Sequence, residues 1–281
     1  MMLRSATLRV LRAEDLPAVH EVLSRDPVAD VFVASRVEAV GLDPARLGGE
    51  MWGYAVDGRL ESLCHAGANL VPVQAGSDAV RAFAERARRQ GRRCASVVGE
   101  RAAVGELWRE LEGSWGPARE VRDPQPVMAL TGPPLVAPDP LVRRVRPEEL
   151  DVLVPSCVAM FTEEVGVSPL GTDSGASYRM RVAELIRHGH AFARIEDGRV
   201  LFKAEIGSVS SAACQVQGVW VPPDLRGRGL ASPGMAAVAA IAAVEVAPTV
   251  SLYVNEFNEA ARSTYRRVGF RDVGAFMSVL F

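Results

Sequence analysis

The chain has 281 residues, 48% of them hydrophobic and 23% charged, which gives it the apolar content for packed cores and the length for two domains of ordinary size. Its formal net charge is -2 and its sequence pI about 6.1, so no overall electrostatic pull toward nucleic acid or an anionic membrane exists. Basic residues are almost wholly arginine; Lys203 is the single lysine, and the imbalance reads as a GC-rich coding bias.

From the N-terminus, Arg4 and Arg9 interrupt the chain before any apolar run forms, so no signal peptide is expected. Arg12-Ala13-Glu14-Asp15-Leu16 opens a helical pattern with acidic residues in its first turn, where they favour the positive end of the helix dipole. Tyr54-Ala55-Val56-Asp57-Gly58-Arg59-Leu60 reads as strand, tight turn, strand. Helix is expected over Asp78 to Gln90, strand over Cys94 to Val98 and helix over Ala102 to Glu112. The segment Leu130 to Pro140 holds four prolines and no periodic pattern, which marks a linker.

The second half reads like the first. Arg146-Pro147-Glu148-Glu149-Leu150 repeats the helical opening, and Ala193-Arg194-Ile195-Glu196-Asp197-Gly198-Arg199-Val200 repeats the hairpin. Helix over Pro233 to Val246, strand over Val250 to Asn255 and helix over Asn258 to Val268 complete the parallel. A duplicated domain and two unrelated α/β domains both fit this pattern. The longest apolar stretch, Met235 to Ala247, is too short for a bilayer and is broken by Glu245. With Cys64, Cys94, Cys157 and Cys214 scattered and unpaired by motif, a cytoplasmic protein with reduced core thiols is expected. His188-Gly189-His190 lacks an acidic or thiol companion and reads as a loop before a strand, so no metal is expected.

The most informative stretch is Gln217-Gly218-Val219-Trp220-Val221-Pro222-Pro223-Asp224-Leu225-Arg226-Gly227-Arg228-Gly229-Leu230-Ala231. A strand ends at two prolines, a turn of glycine and arginine follows, and a helix begins near Ser232-Pro233. Gly227 and Gly229 let backbone N–H groups converge without a Cβ in the way, and the helix dipole adds a field suited to a di-anion. Arg226 and Arg228 can add charge-assisted bonds. Downstream, Asn258-Glu259-Ala260-Ala261 opens a thin helical turn, Tyr265 sits two turns on along the same face, and Gly269-Phe270 closes the helix.

Together Arg226-x-x-Gly229-x-Ala231 and Asn258-x-x-Ala261-x-x-x-Tyr265-x-x-x-Gly269-Phe270 resemble the paired signatures of the GNAT superfamily of N-acetyltransferases, over roughly Val142 to Phe281. The resemblance implies an α/β (α+β) fold of two GNAT-like domains, each a mostly antiparallel mixed sheet flanked by helices. A degenerate domain would span 1–130, a linker 131–140 and a catalytic domain 141–281. It implies acetyl-CoA bound by Val219, Val221, Arg226, Gly227, Arg228, Gly229, Leu230, Ala231, Asn258 and Ala261. A strand bulge near Gly218 to Val221 would leave the Val219 N–H as oxyanion donor, and Tyr265 would protonate the leaving thiolate. In the first half Val71-Pro72-Val73-Gln74-Ala75-Gly76-Ser77 stands where the loop would be, with no arginine, so no CoA is expected there.

One family feature is missing. The strand Cys214-Gln215-Val216-Gln217-Gly218-Val219 carries no carboxylate to serve as general base. Glu205 on the preceding strand is the candidate, with a chain of water as the alternative; Glu163 and Glu164 are candidate contacts to the acceptor. The expected activity is acyl transfer from acyl-CoA to a primary amine on a small molecule or peptide; the alternative is a non-catalytic acyl-CoA-binding regulatory or sensor module. A second copy of the chain is the expected partner for assembly.

Overall fold

In the computed structural model, which describes residues 5–171 and 175–281, the two helical openings are built alike; Arg4 lies outside the described residues. The backbone N–H of Arg12 donates to Asp15 at 2.8 Å and that of Arg146 to Glu149 at 2.9 Å, closing a turn of 3-10 helix in each half. Each carboxylate also takes a guanidinium from six residues upstream, Arg9 on Asp15 and Arg143 on Glu149, both at 2.7 Å. A carboxylate in this position pairs an orphan amide of the helix start and anchors the preceding strand at once.

The first half runs β1 (Ala6–Val10), α1 (Leu16–Leu23), α2 (Val31–Val40), α3 (Pro44–Leu47), β2 (Gly49–Val56), β3 (Arg59–Gly67), β4 (Asn69–Val73), α4 (Ser77–Gln90), β5 (Ser96–Glu100), α5 (Arg101–Trp115) and β6 (Glu120–Leu130). The second runs β7 (Arg143–Arg144), α6 (Leu150–Val165), α7 (Ala176–Arg187), β8 (Ala191–Glu196), β9 (Arg199–Val209), β10 (Ala213–Trp220), α8 (Ala231–Glu245), β11 (Thr249–Tyr253), α9 (Glu259–Val268) and β12 (Arg271–Leu280). The order repeats element for element, with α3 as the addition in the first half. The hairpin turns match too: Asp57 and Asp197 take φ of 50° and 48° ahead of Gly58 and Gly198. This repetition favours the duplicated-domain reading.

The packed units do not follow the cut expected at 131–140. One unit runs to residue 128 and adds 253–258 and 272–281; the other comprises 129–252 and 259–271. The cause is β12, which pairs antiparallel with β5 from Phe276–Glu100 to Leu280–Ser96 and puts Met277 and Val279 into the core under α4 and α5. In the first unit β4 and β5 are parallel, while β1–β2, β2–β3 and β3–β4 are antiparallel. The proline-rich segment has no helix or strand, but it is held on the second unit: Leu135 N donates to Val268 O at 2.8 Å and Asp139 accepts from Arg194 at 2.9 Å.

In the second unit the sheet order is β11-β10-β9-β8-β7, with only β10 and β11 parallel. One face is covered by α6 and α7, whose Leu153, Cys157, Val182 and Ile186 pack on Ala191, Ala193 and Val200. The opposite face receives α8, where a Cβ on Gly234 would stand 2.8 Å from the Phe202 ring. That closeness is why glycine sits in the interior of an otherwise alanine-rich helix.

Glu149 offers a direct test of the helix opening. Chiefly through its bond to Arg143, its carboxyl is held down at about 2. A carboxylate lowered on folding stabilises the protein above its unfolded value, about 4.3, and ceases to do so as pH falls through the folded one. Glu149→Gln should therefore cost about 1 kcal/mol at pH 7. The gap in urea melts should close on acidification from pH ~4.3 toward pH ~2; a gap unchanged at the acid end would contradict the assignment.

Candidate functional site

The site begins with an interruption in β10. Opposite β9 the pairs run Gln217–Glu205 and then Trp220–Lys203, so Gly218 and Val219 together face the single residue Ala204. Two residues against one is a β-bulge, and Gly218 supplies the left-handed backbone it needs with φ of 59°. A side chain there would also be crowded, since a Cβ would meet Glu205 Cδ and Lys203 Nζ at 3.1 Å. On its other side β10 pairs with β11 only from Ala213–Thr249 to Gln215–Ser251. Past Gln215 the two strands share no further paired residues among those described, and the bulge faces the gap.

After Trp220, Pro222 starts one 3-10 turn over Pro223–Leu225, and the chain reaches α8 through Gly227 and Gly229, with φ of 76° and 78°. Nothing lies within 4 Å of where a Cβ on either would be, so both are glycine for backbone conformation, and the space above them is open. The helix begins at Ala231, slightly before the expected Ser232-Pro233, with Leu230 as N-cap and no side chain bonding its first amides. An uncapped helix start behind two open glycines suits an anion such as the pyrophosphate of CoA. Arg228 is exposed beside it.

Arg226 is turned the other way. Its Nε donates to Val221 O at 3.1 Å and its Nη2 to Glu163 Oε2 at 2.7 Å, and Trp220 Nε1 donates to the same carboxylate at 3.2 Å. Glu163, expected at the acceptor, thus ties α6 to the loop, and the Arg226 bond holds its carboxyl below the usual range. A depression of about 680 Å³ adjoins this knot, between Pro155 and Ala159 of α6 and the turn at Pro222-Pro223.

Tyr265 lies on α9, which packs on α8, and is 7% exposed. Burial, and then the negative charge of Glu164, push its phenol above the ordinary tyrosine value, so it keeps its proton throughout the neutral range. Glu164 itself is exposed near the end of α6. Asn258 directly precedes α9, and Ala261 falls in its first turn.

Under the bulge, on the face covered by α6 and α7, is a polar cluster of which sequence reading had found only Glu205. Lys203 is 1% exposed, donates to Gly218 O at 2.8 Å and stands 3.7 Å from Glu205 Oε2. Glu205 also accepts from Gln217 Nε2 at 2.9 Å and pairs with Arg181 of α7 at 3.5 Å. Gly207 leaves room for the Gln217 amide, which a Cβ would meet at 2.3 Å. Close by, Tyr178 donates to Cys157 O at 3.1 Å, and burial raises the Cys157 thiol. The signal was present: the one lysine of an arginine-rich chain stands two residues from a glutamate on the same face of a strand.

In the first unit's counterpart loop Gly76 leaves the start of α4 without a side-chain cap, and the residue two before it is tied down. Gln74, at φ of 50°, donates to Asp30 at 2.7 Å, and Ser62 Oγ donates to Gln74 O at 2.7 Å. Burial raises the Asp30 carboxyl to about 7. Among the described residues no group of three His, Cys, Asp or Glu is placed to hold a metal, and no helix is long and apolar enough to cross a membrane.

Residues 167–270 match the family model described as Acetyltransferase (GNAT) family, and residues 49–153 one described as a domain of unknown function (DUF4081). No curated protein matches the chain. Among solved structures the chain is similar to a GNAT-family acetyltransferase from Colwellia psychrerythraea, at 13% identity and TM-score 0.57, covering 98% of this chain and 99% of that one. It is similar to a GCN5-related N-acetyltransferase from Sphaerobacter thermophilus, at 20% identity and TM-score 0.58, covering 97% and 94%. It is also similar to a tandem GNAT protein from the clavulanic acid biosynthesis pathway, at 14% identity and TM-score 0.53, covering 98% of each. At these identities the likeness is one of fold, and it extends over the whole chain. The bulged strand, the glycine turn and Tyr265 all fall within the matched segment: residues 167–270 match the GNAT acetyltransferase family model, and the fold of the whole chain is that of these GNAT structures.

Proposed function

We propose that the C-terminal unit binds acetyl-CoA and transfers its acetyl group to a primary amine by direct attack. The observation that carries this is the conjunction of a bulge at Gly218–Val219 with an uncapped helix start at Ala231, behind Gly227 and Gly229. In this reading the amides of Gly227 to Ala231 and the Arg228 side chain hold the pyrophosphate, while Arg226 keeps the turn in shape through Val221 and Glu163. Val221, Asn258 and Ala261 line the path of the pantetheine arm, and the Val219 N–H faces the thioester oxygen.

The amine nitrogen forms its bond to the carbonyl carbon as the carbon–sulfur bond breaks. Tyr265 gives its proton to the departing thiolate, and the proton lost by the amine passes to water. Glu205, already engaged by Lys203, Arg181 and Gln217, is read as the counter-charge of the two cations, with water accepting the amine proton. Glu164, whose charge reaches Tyr265, is the better placed of the two α6 acids to meet a cationic acceptor.

The second reading, an acyl-CoA sensor without turnover, draws support from the absence of a carboxylate on β10. Release of CoA from acetyl-CoA across an amine panel separates the two, since a sensor binds without releasing thiol.

Two variants test the assignment. Gly229→Asp places a β-carbon at φ of 78° and a negative charge beside the pyrophosphate. Calorimetry should show CoA binding weakened about 30-fold or more; unchanged affinity would remove the turn from the site. Tyr265→Phe should lower the single-turnover rate about 10²–10⁴-fold with little change in CoA affinity. Because the Tyr265 phenol is raised, the wild-type rate should climb as the amine deprotonates and hold to about pH 9.5. A rate falling already near pH 8 would contradict it as the acid.

A further inference from the structure

We infer that Lys203 is a positioning residue that aims the Val219 N–H at the reacting carbonyl by holding the Gly218 carbonyl from behind. The inference rests on the acetyl-CoA reading of the bulge given above. Gly218 C=O and Val219 N–H belong to one planar trans peptide and therefore point in opposite directions. Lys203 Nζ, reaching from β9 on the face covered by α6 and α7, fixes the carbonyl end at 2.8 Å. The N–H end is thereby turned away from β9, toward the side where β10 and β11 have parted. A bulge without such a hold has a soft peptide, because Gly218 at φ of 59° has no side chain to resist rotation.

Burial argues the same way. A lysine 1% exposed is costly unless its three donors are met, and replacing a buried ion pair with apolar side chains is often neutral or stabilising. The neighbours of Lys203 are arranged around it. Glu205 balances its charge from 3.7 Å, Gln217 and Arg181 hold Glu205, and Gly207 makes room for Gln217. Of these groups Lys203 is the one that reaches the Gly218 carbonyl, and the others hold its counter-charge in place. Lys203 touches no substrate in this account and acts only through the peptide it holds.

The test uses the full-length protein with acetyl-CoA labelled with carbon-13 at the carbonyl. Bound to the wild type, the thioester carbonyl stretch should move to lower frequency, as expected for an oxygen accepting the Val219 N–H. In Lys203→Met that displacement should largely vanish and kcat should fall at least tenfold, while CoA affinity and the KM for the amine stay within about threefold. A Lys203→Met protein that binds acetyl-CoA with the carbonyl displacement and kcat intact overturns the inference. Wild type that fails to bind acetyl-CoA overturns the parent reading and this one with it, which separates the two failures. A crystal structure of the wild type with acetyl-CoA supplies a readout independent of any variant's folding. The thioester oxygen should accept from Val219 N with Lys203 still on Gly218 O; an oxygen bound by another donor refutes the assignment.

Discussion

The second unit depends on a break in one strand. β10 must leave register at Gly218–Val219, because a strand paired on both sides spends every amide on its neighbours and has none for a ligand. The break creates the gap toward β11, and the chain then turns through Gly227 and Gly229 into α8. Bulge and helix start are thus two consequences of one chain path. A strand that stopped pairing without a bulge would present its amides at arbitrary angles. A buried cation on the Gly218 carbonyl removes that freedom.

The sequence announced the ends of this path better than its middle. Gly227, Gly229 and the spacing from Asn258 to Tyr265 are local signals, since turn conformation and helical period are dictated by neighbouring residues. The duplicated plan was legible for the same reason: capping carboxylates at Asp15 and Glu149 and aspartate-glycine turns act within a few residues. What could not be read is what distant elements bring together. Lys203 lies on β9, Arg181 on α7 and Cys157 on α6, and only the fold places them near Gly218. Glu163 read as an acceptor contact until α6 was seen to deliver it to Arg226 and Trp220. The placement of β12 in the first unit was likewise invisible, because alternation predicts a strand but not its partner.

The two halves differ at the turn and not at the helix start. Both α4, behind Gly76, and α8, behind Leu230, begin without a side-chain cap, but where the second unit has Gly227 and Gly229 the first has Gln74, tied to Asp30 and backed by Ser62. Fold alone could not have distinguished the two halves; the turn does.

Hydrogen exchange with and without acetyl-CoA tests the central claim most directly, because it reads backbone amides one by one in the intact chain. The account predicts slowed exchange at 219–221 and 227–232, with no change at 74–77. Acetyl-CoA that leaves 219–221 and 227–232 unprotected, or that protects 74–77 instead, would contradict it.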